Sequence, residues 1–186
     1  MDKSKPAEVE AAIRDWLERV VIGLGLCPFA SRILDDQRLR IRISPATGEE
    51  QALTDLQEEL LLLAAADPRE LETSLLALPH LAGGFDAFNQ LLALVDLLLD
   101  EAGWRGRFQV ASFHPDYRFA DTEPDAPGNL TNRSPVPLLH ILRETSVAAA
   151  IESIEDPAAI PARNVRVMES LDTAQRHELF PLLSRR

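Results

Sequence analysis

Apolar residues recur along this chain at two spacings, and the alternation between them outlines a fold. Val9, Ile13, Trp16, Leu17, Val20 and Leu24 fall three and four apart, the period of one helix face. Gly23 and Gly25 weaken that helix near its end, and either can supply a left-handed C-terminal residue. A second helix carries Leu53, Leu56, Leu60, Leu63 and Ala64 on one face. Thr47 and Glu50 have the spacing of a capping box at its start, and Asp67-Pro68 stops it. A third helix has the stripe Phe85, Phe88, Leu91, Leu92, Val95, Leu98 and Leu99, and Gly103 ends it. Between these helices the period drops to two. "RLRIRIS" puts Arg38, Arg40 and Arg42 on one side and Leu39, Ile41 and Ile43 on the other, as a half-buried edge strand does. "TSLLALP" is continuously apolar, as expected of a strand buried on both faces. "RFQVASF" reads as a third strand.

The order strand–helix–strand–helix–strand predicts an α/β fold: a small, mainly parallel sheet of three or four strands packed with helices. The alternative is an α+β ferredoxin-like arrangement, in which one strand runs antiparallel. Residues 115–132 lack periodicity, and "TEPDAPGN" is a loop. "NRSPVPLLHILRE" can be a helix capped by Ser134 with Pro135 in its first turn, or "LLHILRE" can be a fourth strand. The helix is the favoured reading, because prolines in a first turn remove only donors that have no partner there. Ser146 is expected to cap a further helix, and Asp156-Pro157 and Pro161 to divide the tail into short ones.

Composition narrows the class. With 186 residues, 46% of them hydrophobic, the chain is read as a single domain, residues 1–186, with a sizeable core. Its one cysteine excludes an intramolecular disulfide and a CxxC zinc module. The charged start "MDKSKPAEVE" has no apolar h-region, and no apolar run suffices to span a bilayer, so a cytoplasmic protein with no membrane partner is expected. A net charge of −11 repels a phosphate backbone overall, which argues against a nucleic-acid partner. No Walker A, GxGxxG, HExxH or GxSxG pattern occurs. The cofactor is left unknown, and so is the oligomeric state.

Candidate chemistry clusters in three places. Cys27 before Pro28 looks like the start of a helix, where the dipole favours a thiolate; the alternative is a small buried hydrophobe. His114 sits where the third strand ends, the place where open α/β sheets bind ligands, and an imidazole there could act as general base. It could equally cap backbone groups at the strand exit. Tyr117, Arg118 and Asp121 follow it, offering anion-binding and acid–base groups, or packing and mutual pairing. Asn132, Arg133 and Ser134 precede the expected helix, where free N–H groups and a guanidinium would bind carboxylate or phosphate. His140, Arg143 and Glu144 would share a face of that helix, with Glu144 orienting His140.

Three segments taken together, "VIGLGLCPFA", "FHPDYRFAD" and "TNRSPVPLLHILRE", resemble a bacterial family of unknown function built around CPFA, HPxYxFA and NRSPxPxLHxLRE motifs. The resemblance covers roughly residues 8–171. It implies motif positions at Cys27, Pro28 and Phe29; at His114, Pro115, Tyr117, Phe119 and Ala120; and at Asn132, Arg133, Ser134, Pro135, Pro137, His140, Leu142, Arg143 and Glu144. It brings no activity with it. The residues themselves point to an enzyme acting on a small anionic molecule, with Cys27 as nucleophile, His114 as base, His140 as second acid or base, and Arg133 and Arg143 holding the anion. No metal is assigned. The alternative is a non-catalytic binding or regulatory module using the same pocket. A third reading makes the motifs a polar network that locks the long loop onto the sheet.

Overall fold

A computed structural model describes residues 5–28, 30–152 and 154–181. In chain order the elements are α1 (Pro6–Trp16), continued by a π-helical turn over Leu17–Ile22, then α2 (Ala30–Asp35), β1 (Leu39–Ile43), α3 (Glu49–Ala65), β2 (Thr73–Ala77) and α4 (Gly84–Glu101). They continue with β3 (Phe108–Phe113), a 3-10 turn over Pro127–Asn132, β4 (Leu138–Arg143), α5 (Glu144–Glu152), α6 (Ala159–Ser170) and α7 (Thr173–Leu179). The expected α/β fold is present, with a sheet of four strands. That sheet is mixed and not mainly parallel: its order is β1-β2-β4-β3, with β1 parallel to β2 and β4 antiparallel to both β2 and β3, because β4 enters between them as a strand.

The favoured helix at "PLLHILRE" is therefore corrected to a strand. The slot between β2 and β3 offers β4 backbone partners on both sides, from Ser74↔Ile141 to Phe113↔Leu138. Alternation also suits the slot. Leu138 joins the apolar cluster on the α1 face of the sheet, while Leu139 and Ile141 join the cluster on the α3/α4 face. Pro135 and Pro137 lie before the strand, where a missing N–H costs no ladder bond, and the Pro137 carbonyl accepts from Leu78 N at 2.9 Å.

The two faces are built differently. On one, α3 and α4 bury Leu56, Leu60, Leu63, Phe88, Leu91, Val95 and Leu99 against Leu76, Phe108, Leu139 and Ile141. Burying each large side chain stabilises by roughly 2 kcal/mol. Arg40 and Arg42, the polar side of edge strand β1, reach toward carboxylates of α3. Glu59, wholly buried, meets Arg40 Nε at 3.1 Å and accepts from Ser74 Oγ at 2.5 Å. Asp55 accepts from Arg42 Nη2 at 2.8 Å and from Ser44 Oγ. Charge on β1 is thus an internal clamp as well as an edge device. On the other face, α1, its π turn, α6 and Phe180 cover Leu75, Ala77 and Leu138.

Several local expectations shift. Gly48, in extended backbone, precedes α3 without a side-chain cap, so Thr47 and Glu50 form no capping box. Ser146 lies inside α5 and does not cap it. Gly25 takes the left-handed conformation after α1, with φ 64°, while Gly23 is right-handed and packed where a Cβ would meet the Arg19 carbonyl. That close approach comes with the i→i+5 bonding of the π turn, seen in Gly23 N to Glu18 O at 2.9 Å and Leu26 N to Val21 O at 2.8 Å. No helix among the described residues is long and apolar enough to cross a membrane.

Candidate functional site

His140 stands mid-sheet on the α1 face, level with Leu75 of β2 and Ala111 of β3. Its Nε2 lies 2.9 Å from Thr73 Oγ1. That hydroxyl donates its only proton to the Ile141 carbonyl at 2.5 Å, so the imidazole must be the donor to Thr73. Nε2 therefore carries the proton, and Nδ1, with no partner among the described residues, is left as an acceptor. Burial pushes the pKa of His140 down to about 4, so the ring is neutral at pH 7. The expected orientation by Glu144 is replaced: on a strand the two do not share a face, and the Glu144 carboxylate accepts from Gly106 N at 3.0 Å.

A cavity of about 400 Å³ opens beside this ring. Leu17, Val21 and Ile22 of the π turn, Leu75, Ala111, Phe113 and Ala150 give it largely apolar walls. Cys27, Thr73, Thr131, Asn132 and His140 are among the polar residues that interrupt those walls, and Glu72 and Arg143 bring charge to the lining. Cys27 is half-buried, and its carbonyl accepts from Ala30 N at 3.4 Å. α2 begins only at Ala30, so Cys27 stands one turn ahead of a six-residue helix and not in its first turn; Phe29 lies outside the described residues. What fixes this loop comes from far along the chain. Arg163 Nη1 donates to Gly25 O at 2.6 Å, and Asn164 Nδ2 donates to Leu26 O at 2.8 Å. Asn132 is held in turn by donating to Ser112 O at 3.3 Å.

The other expected site residues separate from this group. His114, buried, points to the opposite face of the sheet, its ring 5.2 Å from those of both Phe85 and Phe88. Its Nδ1 accepts from Asp116 N at 2.9 Å, so the imidazole braces the strand exit. A single pocket holding Cys27, His114 and His140 is not what the chain builds. Arg143 borders the cavity, but its Nη2 donates to Leu63 O, Ala66 O and Leu71 O at 2.7, 3.2 and 3.1 Å, which closes the C-terminal end of α3. Tyr117 packs between Phe85 and Phe119, and Arg118 and Asp121 are exposed away from the cavity. No ion pair between Arg118 and Asp121 occurs among the described residues.

Arg133 and Ser134 line a second, smaller cavity of about 280 Å³, which shares Trp16 as a lining residue with the first. The Arg133 guanidinium donates to Pro124 O at 2.6 Å and Tyr117 O at 3.4 Å, which ties the long loop to the sheet. Asn129, wholly buried, completes that loop. It accepts from Phe119 N and Thr122 Oγ1 and donates to Glu123 O. Asn129, Thr73 and Asn164 carry no pattern of spacing in the sequence, and Trp16 stands there only as an apolar helix position. An asparagine at the end of a Pro/Gly loop was the one available signal; the others take their roles from partners distant in sequence. Among the described residues, no group of three or more His, Cys, Asp or Glu side chains comes together as a metal site.

Fold and site together define an α/β protein with a cavity of small-molecule size against one face of a mixed sheet. Residues 8–178 match the model of a family described as protein of unknown function (DUF1415), and the chain belongs to that family. No curated protein and no solved structure matches it.

Proposed function

We propose that this protein binds a small, largely apolar molecule in the larger cavity, oriented by a hydrogen bond to His140 Nδ1. The observation that carries this reading is the neutral imidazole, locked in one tautomer by Thr73, in the wall of a cavity of about 400 Å³. Ligand sites of roughly 300–1,000 Å³ with apolar walls and a few placed polar groups are the usual form of such pockets. Thermal denaturation with phenol, indole and toluene tests it. Phenol and indole, which can donate a hydrogen bond, should raise the unfolding midpoint more than toluene does. Ala111→Phe, which fills the cavity, should remove all three effects. Equal effects in the filled variant would refute the reading.

A second reading, catalysis by Cys27 with His140, is favoured by their lining the same cavity. The neutral imidazole ranks it second, because a base whose pKa is pushed down accepts a thiol proton poorly. Alkylation of Cys27 by iodoacetamide at pH 6.5 decides between the two. A rate above that of a free thiol, lost in His140→Gln, supports catalysis; an ordinary rate leaves binding alone.

A further inference from the structure

The smaller cavity is lined by a buried charge, Arg133, which is only 5% exposed and forms no ion pair among the described residues. Its Nε and Nη2 reach backbone carbonyls, and its Nη1 bonds no described residue. Burial pulls its pKa downward, and Asp125, which does not pair with it, offsets this only in part. A guanidinium nevertheless stays protonated in proteins. Burying such a cation against neutral carbonyls recovers only part of the water it has lost, and a counter-charge would recover more. Its surroundings narrow what that counter-charge is. Val9, Val136, Leu179 and Phe180 give the cavity an apolar body, and Glu8 and Asp15 of α1 bring two carboxylates to the lining. Those carboxylates disfavour a dianion such as phosphate. One free nitrogen also suits one monoanionic oxygen better than a phosphate's three.

We infer that the cavity between α1, the Arg133–Val136 segment and Phe180 is a second ligand site, which takes a small apolar molecule through its carboxylate on Arg133. The site is separate from the larger cavity and does not depend on the function proposed there. Trp16 forms a wall of both, so occupancy of either can be followed by its emission.

Calorimetric titration of the full chain with phenylacetate and hexanoate tests the inference. Saturable binding is expected, with phenylacetamide, the neutral counterpart of phenylacetate, weaker by at least about tenfold, the difference between a charge-assisted and a neutral hydrogen bond. Arg133→Lys should weaken phenylacetate by a similar factor. Because Arg133 also tethers the long loop, Ala12→Phe supplies the second variant. Ala12 is an exposed helical position lining the cavity, and a ring there should block it while leaving the unfolding midpoint unchanged. Ala111→Phe in the larger cavity should leave phenylacetate binding intact. Phenylalanine binding tighter than phenylacetate would support the same carboxylate grip and assign Glu8 and Asp15 to an ammonium. The inference is overturned if neither acid binds, if the amide binds as well as the acid, or if Ala12→Phe has no effect. Loss of phenylacetate binding in Ala111→Phe would overturn it too.

Discussion

The two faces of the sheet spend their side chains in opposite ways. Under α3 and α4, leucines and phenylalanines interlock, and two buried carboxylates are each matched by an arginine of β1. Under α1 and α6, the apolar cluster is flanked by two cavities, and the polar groups there, His140 and Arg133, have bonding capacity left over. A face whose hydrogen bonds and ion pairs close on themselves holds the fold. A face with open space and unspent donors and acceptors has something to offer a ligand.

That contrast can be broken by substitution, and the largest effect belongs to the closed face. Phe88→Ala removes a wholly buried ring beneath α4 and should cost about 4 kcal/mol in urea unfolding, with phenol and phenylacetate binding retained by the folded fraction. Loss of binding at unchanged stability would show that the faces are not independent.

The next effect belongs to His140. Its unfolded pKa is the ordinary 6.5 and its folded pKa is about 4, so below pH 6.5 the unfolded chain takes up a proton that the folded chain refuses. Stability at this position is therefore intact above pH 6.5 and falls as the pH drops toward 4, by about 3 kcal/mol in total. Urea unfolding of wild type and His140→Gln at pH 7, 5.5 and 4.5 should show the two curves converging as the pH falls. Parallel curves would mean that His140 is hydrated and titrates normally.

The smallest effect is the most direct comparison. Ala52 of α3, wholly buried, and Ala111 of β3, on the wall of the larger cavity, place the same side chain on the two faces. Leucine at 52 should cost about 2 kcal/mol by overpacking, whereas leucine at 111 should change stability by less than about 0.5 kcal/mol because space is already there. Equal costs would show that the cavity is filled by side-chain motion in solution.

Much of the closed face was legible from periodicity. The stripes of α3 and α4, the doubly buried β2 and the edge strand β1 all lie where spacing placed them, because a buried face imprints its period on the residues that form it. The candidate site was legible only as a set of residue types. Cys27, Asn132 and His140 do share a cavity, but His114 lies across the sheet, and Arg133 and Ser134 belong to a second cavity. The divergence traces to β4. "LLHILR" fits a helix by its prolines and a strand by its alternation, and only the vacant slot between β2 and β3 selects the strand.

By itself the sequence determined the α/β class, the packed helices and the membership of a family of unknown function, since each is written in local pattern or in motif. Tertiary structure alone decided which polar residues meet. A strand sends neighbouring side chains to opposite faces, and the partners of His140, Cys27 and Arg133 arrive from segments that no local spacing connects. Thr73 sets the tautomer of His140, Asn164 holds the Cys27 loop, and the residues of one expected pocket line two cavities that share Trp16.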